Sequence, residues 1–476
     1  MAEIFASIAR KDRLELFRDN RLRLAMLLVV ILSLAAVTAA YVRIADAECD
    51  RAAATATELS SWLNMGARDP HAAAHFSQWT FRPVEGAALL DPGVTPYTGS
   101  AIWLEAHLRN PAAFRPIEDR TTILDLGELS ASWVLQTLGP LLAFLLAAGL
   151  VARERERGTL RLMIASGAQP TWLVSAKARG LLFTILLATT PVFIAAVAAV
   201  ILSPSESMDD MLLRTLLWVL VHVLWLALVV LIGVVVSAST QSTSRALVLL
   251  VSLWILVVPL APRTAASIAE ALHPTPSGAR FWAKARGEVL NGVNPDESYE
   301  KRQEALKERL LRQYDVSRIE DLPISFRGVW LEESERFGSH MLEQNFAMLD
   351  TIYRDQREVM RMGALVSPLI AVQNISMAFS GTDNQHVQFF DTQAEAERQR
   401  VVLALNHQVT VNGSNPDYKA DSSLWSKFDV FKPQPVPMGM VLRNIWPDLL
   451  ILFAWMLAAM LLLRAAGRRL VREMTR

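Results

Sequence analysis

Six long apolar stretches alternate with polar segments along the chain. A helix needs about 20 mainly apolar residues to cross the hydrocarbon core of a bilayer, and each stretch is close to that length. The pattern therefore predicts six membrane-spanning helices, which we call spans one to six. In chain order they cover residues 21–42, 130–151, 178–202, 215–237, 246–262 and 445–464.

Two polar segments between the spans are too long to be ordinary connections. Residues 43–129 contain chain breakers such as Pro70 and Pro92, which predict a compact, irregular first lobe. Residues 263–444 are rich in helix formers with favourable charge spacings, above all in 297–314, and predict a mostly helical second lobe. The predicted fold class is mainly α, a six-span helical bundle with two lobes outside the membrane.

Lysine and arginine residues cluster on one side of the predicted spans. Basic clusters precede span one, follow span two and follow span six, whereas the turn after span three is acidic. Because basic loops are retained in the cytoplasm, both termini, including the tail 465–476, are predicted to be cytoplasmic and both lobes extracytoplasmic. Residues 1–20 combine basic residues with a rough apolar stripe, which predicts an amphipathic helix in the membrane surface. This helix is either a simple anchor or an elbow helix that helps to form a docking surface.

Two segments leave alternatives to the count of six. Span one could be a cleavable signal peptide, but its apolar run exceeds the roughly 7–15 residues of a signal peptide, and its removal would disturb the charge pattern. Residues 362–379 are apolar enough for a seventh span, but a crossing there would place the arginine-rich tail outside. We interpret 362–379 as a helix packed inside the second lobe or lying along the outer membrane surface.

The composition supports a membrane protein with large aqueous parts. Hydrophobic residues make up 52% of the 476 residues and charged residues 20%, which fits neither a soluble globular protein nor a bare membrane bundle. The formal net charge is zero and gives no indication of nucleic acid as a partner. The single cysteine, Cys49, excludes an intramolecular disulfide framework, so the lobes must be stabilised by packing alone.

Little in the sequence indicates catalysis. The metalloprotease pattern HExxH, the hydrolase pattern GxSxG and the phosphate-binding loop GxxxxGK[ST] are all absent from the sequence. We therefore expect that the chain is not an enzyme and binds no cofactor itself.

Histidines provide two candidate sites. His71 and His75 lie one helical turn apart, but metal sites recruit three or four ligands and no third is evident nearby in the sequence. We therefore predict that both are solvent-exposed and expect no metal site. His222 lies within span four, where an ionisable residue is either functional or packed structurally against a neighbouring helix, and both interpretations stay open. The hydroxyl-rich residues 237–244 form either a tight turn or a hinge, and the pattern favours the turn.

The segment 152–177, between spans two and three, carries the strongest indication of function. Alternating charges over 153–157 are followed by Gly158 and Thr159, then by a short amphipathic stretch, and the segment ends at Lys177. This pattern predicts a charged helical hairpin at the cytoplasmic surface of the membrane. A soluble partner could bind such a hairpin and move the spans attached to it.

The hairpin resembles the first cytoplasmic loop of ABC-2 type permeases, the membrane subunits of one class of ABC exporter. The residues that match the family pattern are Glu154, Glu156, Gly158, Thr159, Leu160, Leu162, Ile164 and Lys177. The six-span order and the N-terminal helix agree with the family. The long lobes are similar to those of a bacterial subgroup with large extracytoplasmic insertions, in which a stretch like 367–383 recurs.

The resemblance implies a permease of the bacterial cytoplasmic (inner) membrane that binds two copies of a separate ATP-binding subunit. A second permease copy, or a related permease, would complete the assembly. Glu154 and Glu156 would orient the hairpin, 159–168 would form a coupling helix seated in the ATPase, and the neighbouring arginines would contact acidic groups there. ATP and Mg²⁺ would be used only by the partner. The implied function is export, and the alternative is mechanotransmission to an extracytoplasmic partner without transport.

Overall fold

The chain forms a mainly helical protein in the computed structural model, which describes residues 20–83, 86–118, 129–203, 208–294, 296–413, 415 and 417–474. The predicted amphipathic helix over 1–20 lies outside the described residues except for its last position. Numbered in chain order, the helices and strands are α1 (Asn20–Leu63), α2 (Pro70–Phe76), β1 (Trp79–Phe81), β2 (Ala101–Trp103), α3 (Ala131–Trp133), α4 (Gly139–Ala148), α5 (Ala152–Glu156), α6 (Thr159–Ala165), α7 (Pro170–Leu202), α8 (Met208–Ser239), α9 (Thr243–Ile255), α10 (Ala261–Leu272), α11 (Gly278–Asn291), α12 (Tyr299–Tyr314), α13 (Phe326–Gly363), α14 (Pro368–Phe379), α15 (Asn384–Asn412), α16 (Ser422–Trp425) and α17 (Met438–Met474).

Six helical stretches of the described residues are long and apolar enough to cross a membrane, which indicates a multi-pass membrane protein. Each overlaps one predicted span, in the predicted order. Two of the stretches continue through a π-helical turn, Val134–Leu138 between α3 and α4, and Leu256–Leu260 between α9 and α10. The six stretches are Arg23–Leu63, Ala131–Glu156, Pro170–Leu202, Met208–Ser239, Thr243–Leu272 and Met438–Arg472.

Several helices extend well beyond their apolar parts. Helix α1 has 44 residues and is therefore about 66 Å long, roughly twice the thickness of a hydrocarbon core. The first lobe was predicted to begin at residue 43, but the helix continues without a break to Leu63. Residues 43–63 are rich in alanine and other helix formers, so the backbone stays helical after the apolar pattern has ended.

Helix α8 is central to the bundle, because it packs against α4, α7, α14 and α17. Its buried side chains, which include Trp218 and Trp225, belong to the largest apolar cluster. The outer faces carry exposed leucines instead, such as Leu27 and Leu28 on α1. Soluble proteins rarely expose such continuous apolar surface, whereas a bilayer would cover it.

The two predicted lobes pack together. Trp62 at the end of α1 shares a buried cluster with Leu405 of α15 and Trp425 of α16.

Within the second lobe, helices α13 and α15 lie against each other, and a Cβ atom added at Gly328 would collide with the backbone of Thr410. Glycine at this position therefore permits a close helix contact.

The apolar segment 362–379 is not among the candidate membrane spans, as predicted. Its helix, α14, has 12 residues, about 18 Å, and is too short to span a bilayer. Leu369, Val372 and Ile375 join the main apolar cluster, and the helix packs against α8 and α17. The apolar side chains of this helix pack against candidate spanning helices.

Candidate functional site

The hairpin over 152–177 consists of two short helices, α5 and α6, joined by a fixed turn. Gly158 has a φ of 73°, in the left-handed region that glycine adopts without strain. Gly167 has a φ of 95° and follows the end of α6, and Pro170 starts α7. The connection between α5 and α6 is therefore a tight backbone turn that favours glycine at position 158.

Glu154 attaches the first arm of the hairpin to span three. Its carboxylate Oε2 lies 2.9 Å from Nζ of Lys177, which is 1% exposed, on α7. The hydroxyl of Thr159 donates a hydrogen bond of 3.2 Å to the carbonyl oxygen of Glu154. Glu154, Thr159 and Lys177, on which the resemblance to the permease loop was based, thus lie together, and the ion pair fixes the position of α5 on α7.

Glu156 and Arg155 attach the same arm to spans four and five. The carboxylate of Glu156 accepts hydrogen bonds from the backbone N–H and the hydroxyl of Thr243, at 3.1 and 2.7 Å, and so satisfies the N-terminus of α9. Arg155 donates to the carbonyl oxygens of Ala238 (2.9 Å) and Thr240 at the end of α8. The arginines were expected to contact a partner, but Arg155 binds this chain, because the last carbonyls of a helix lack intrahelical donors. The connection between α8 and α9 is a short turn, as the pattern favoured.

Helix α6 has two different apolar faces. Leu160 is buried, and Met163 and Ile164 are half-buried against the main apolar cluster. Leu162 is 67% exposed on the other face. Leu160 and Ile164 therefore hold α6 on the bundle, and Leu162 points away from it.

His222 is completely buried in the bundle, and both of its ring nitrogens have partners. Nδ1 donates to the carbonyl oxygen of Trp218 at 2.9 Å, and Nε2 accepts from the side-chain amide of Gln136 at 3.1 Å. The ring also packs on the indole of Trp218, with centroids 4.1 Å apart. These contacts favour the structural interpretation of His222.

A row of buried polar groups continues from Trp218 into the first lobe. The indole Nε1 of Trp218 donates to the hydroxyls of Ser376 (2.9 Å) and Ser132 (3.2 Å), and Ser376 donates to Asp91 at 2.5 Å. Burial raises the pKa of Asp91 above its ordinary value, and hydrogen bonds from Ser376 and Gly93 oppose that shift. This row could not be predicted from the sequence, because its members come from distant segments.

A third histidine joins His71 and His75 in the first lobe. Nε2 of His71 lies 3.2 Å from Nε2 of His75, and the ring of His107 is 5.1 and 5.2 Å from theirs. The three side chains offer nitrogen atoms that all lie within 4.8 Å of one another. The prediction that no third ligand is near was therefore wrong, and His71 is half-buried rather than exposed.

The surroundings lower the pKa of His71, of His75 and of one nearby acid. Burial lowers the pKa of His71 and of His75, and the neighbouring His107 lowers both further. Burial alone would raise the pKa of Glu335, but hydrogen bonds from His107 and the charge of Arg398 lower it to about 2. At neutral pH His71 and His75 are therefore uncharged and lie near the ionised carboxylate of Glu335.

Comparison with known families assigns one part of the chain. Residues 281–434 match the family model described as a domain of unknown function, DUF3526. The match lies in the second lobe, begins within α11, and includes Glu335 and Arg398 but neither the hairpin nor the three histidines. No curated protein is similar enough to this chain to count as a match.

Proposed function

We propose that the chain is the membrane permease subunit of an ABC exporter in the bacterial cytoplasmic membrane, with both termini in the cytoplasm. The observation that carries this proposal is that α6 packs on the bundle with one face and exposes an apolar residue on the other. Leu160 and Ile164 fix the helix to the bundle, while Leu162 is exposed between spans two and three. A partner that binds and displaces a short helix held in this way would also displace the membrane helices to which it is attached.

The attachments of the hairpin support a role in coupling. Glu154 binds α7, Arg155 binds the end of α8, and Glu156 binds the start of α9. A displacement of α5 and α6 would therefore act on three spanning helices together. The sequence has no phosphate-binding loop, so ATP and Mg²⁺ would be used by a separate ATP-binding subunit, two copies of which serve a pair of permeases.

The first test is the replacement of Leu162 by glutamate. Under the proposal, Leu162 binds in an apolar cleft of the ATP-binding subunit, and a charged side chain there would lose this buried contact. We therefore expect the L162E variant to copurify with little or none of the protein that contains a GxxxxGK[ST] loop, identified by mass spectrometry. Leu290 of α11 is 58% exposed in the second lobe and provides a matched control. The L290E variant should retain the ATP-binding subunit at the level of the parent.

Two results would contradict the proposal. One is full retention of the ATP-binding subunit by L162E. The other is the absence of any nucleotide-binding protein from preparations of the parent chain made under mild conditions.

Mechanotransmission is a second candidate, because the lobes are firmly connected to the bundle. Helix α1 runs without a break from the bundle into the first lobe. Arg361 of α13 pairs with Asp448 of α17 at 3.1 Å, and Asn374 of α14 donates to the same carboxylate at 2.8 Å. Movement of the spans would therefore reach the lobes, which could act on an extracytoplasmic partner.

Both candidates require the lobes to lie outside the cytoplasm, and cysteine labelling tests this topology. Cys49 is exposed on α1 and is the only cysteine, so a membrane-impermeant maleimide should label it in intact cells with a permeabilised outer membrane. In a Cys49→Ser background, Ser317→Cys in the second lobe should be labelled in the same way. Ser166→Cys, at the exposed end of α6, should react only after lysis. Labelling of position 166 but not of position 317 in intact cells would contradict the proposed topology and indicate the opposite orientation.

A further inference from the structure

The three histidines meet because of the register of a short β-ribbon. Strands β1 and β2 are antiparallel, with Trp79 opposite Trp103. The pairing continues outward, since the backbone N–H of Ala106 donates to the carbonyl oxygen of Ala74 at 3.2 Å. His107, four residues after the end of β2, therefore lies beside α2, which carries the other two histidines. Residues 32 positions apart in the sequence become neighbours in this way.

Side chains of the second lobe orient two of the three rings. Nδ1 of His71 donates to the amide oxygen of Asn406 on α15 at 2.8 Å. Nδ1 of His107 is 3.0 Å from Oε2 of Glu335 on α13, and the backbone N–H of His107 donates to the same oxygen at 2.9 Å. Metal-binding histidines usually have this kind of outer partner, which fixes the tautomer and the ring orientation. Because Nδ1 carries the proton in both rings, the Nε2 lone pairs of His71 and His107 are available to bind a ligand.

The same contacts hold the backbone at His107. Its φ is 65°, in the left-handed region, which histidine adopts more readily than most residues other than glycine. The bonds to Glu335 hold the residue in this conformation.

We propose that His71, His75 and His107 bind a divalent first-row transition metal ion, with Zn²⁺ as the preferred occupant. Zinc–nitrogen bonds of about 2.0–2.1 Å at tetrahedral angles separate two ligand nitrogens by about 3.3 Å, and the Nε2 atoms of His71 and His75 are 3.2 Å apart. The rings of His75 and His107 are exposed, which gives an ion access to the site and lets both side chains adjust. Without an ion, Nε2–H of His75 donates to Nε2 of His71, and the ion replaces this hydrogen bond.

The ligand set determines the class of metal and the character of the site. Three neutral imidazoles suit Zn²⁺, Cu²⁺ and Ni²⁺, whereas Ca²⁺ and Mg²⁺ prefer oxygen ligands. Three protein ligands leave a fourth position for water or another donor, as in zinc sites that are not purely structural. Since the histidines belong to the first lobe and their outer partners to the second, a bound ion would also strengthen the contact between the lobes.

The test uses the full chain, purified through a tag without histidine and stripped of metal with a chelator. We expect one Zn²⁺ ion per chain in a competition titration, and a rise in the thermal unfolding temperature on addition of Zn²⁺. His75→Ala should weaken Zn²⁺ binding by about 100-fold or more, because loss of an outer partner alone typically costs about 10–100-fold. His71→Ala and His107→Ala should do the same. His340→Ala is the matched control, an exposed histidine of α13 outside the cluster, and should bind Zn²⁺ like the parent.

Co²⁺ gives an independent reading, since a tetrahedral cobalt site absorbs strongly in the visible range. The absorption should appear in the parent and in His340→Ala, and should be absent from His75→Ala. His75 is exposed, so this variant is expected to fold even if changes at the other two positions do not. Binding of Zn²⁺ by His75→Ala within tenfold of the parent would overturn the proposal, as would a parent chain that binds no Zn²⁺ and gains no thermal stability from it.

Discussion

Replacing Arg398 by methionine is expected to destabilise the second lobe by about 3–5 kcal/mol, the usual effect of removing one partner from a buried ion pair. The guanidinium of Arg398 lies 2.5 Å from the carboxylate of Glu335 and 2.8 Å from that of Glu395. Arg398 and Glu335 are each 1% exposed. Methionine matches the length of the arginine stem but leaves both carboxylates without their cation in a place that water does not reach.

The dependence of this effect on pH has a definite sign. In the parent the pKa of Glu335 is lowered to about 2, so the ionised carboxylate contributes stability above the unfolded pKa of about 4.5, and this stability is lost as the pH falls through that interval toward 2. In R398M the pKa of Glu335 should be higher than in the parent, because burial still opposes ionisation and the charge of Arg398 is lost, while the hydrogen bonds from His107 remain. Glu335 is therefore protonated at a higher pH in the variant, and the difference in stability between parent and variant should narrow as the pH falls from 7.

Hydrogen exchange of the amides in α13 and α15 measures this prediction, because it reports the local opening free energy of the two helices that the ion pair joins. Arg400→Met is the matched control, two residues further along α15. Arg400 is 54% exposed and pairs with Glu397, and exposed pairs contribute about 0–1 kcal/mol. A loss of less than about 1 kcal/mol in R398M, or equal losses in both variants, would mean that the buried network does not stabilise the lobe.

The sequence predicts the number and order of the candidate spans well, because the thickness of a bilayer sets the length of an apolar stretch. It does not predict how far the helices continue beyond the apolar stretches. In α1 the helix continues through 43–63, where alanine and charged residues favour helix without being apolar. The segment 362–379 was predicted not to span the membrane, and its 12-residue helix agrees with that, but the apolar pattern does not reveal which helices it packs against.

The candidate sites divide in the same way. The local hairpin pattern is recognisable because Glu154, Gly158 and Thr159 are close in sequence, and the turn they form depends on a glycine in the left-handed region. The faces of α6 are not predictable from the pattern, which treats Leu160 and Leu162 alike. Contacts between distant residues could not be predicted from one sequence either. His107 reaches α2 only through the register of a strand pair, and Glu335 meets Arg398 across 63 positions.

Glu154 and Lys177 provide the sharpest functional prediction, since their ion pair joins the hairpin to span three. Glu154→Gln should cost about 3 kcal/mol at the joint between α5 and α7, because the ammonium of Lys177 is 1% exposed and loses its carboxylate. Under the proposed function, we expect the variant to insert into the membrane and bind the ATP-binding subunit. The stimulation of ATP hydrolysis by transported substrate should fall by at least about tenfold, the equivalent of 1.4 kcal/mol of lost coupling.

A double variant distinguishes this loss of coupling from simple damage. Glu154→Gln combined with Lys177→Met removes both charges, and replacing a whole buried ion pair by uncharged groups is often close to neutral. The double variant should therefore recover stability relative to Glu154→Gln alone, with a coupling energy of about 1–3 kcal/mol in the double-mutant cycle. If the double variant recovers both stability and substrate-stimulated ATP hydrolysis, coupling requires a stable contact between α5 and α7 but not the two charges. If Glu154→Gln alone keeps the full stimulation, the hairpin is not the route by which the ATP-binding subunit moves the spans.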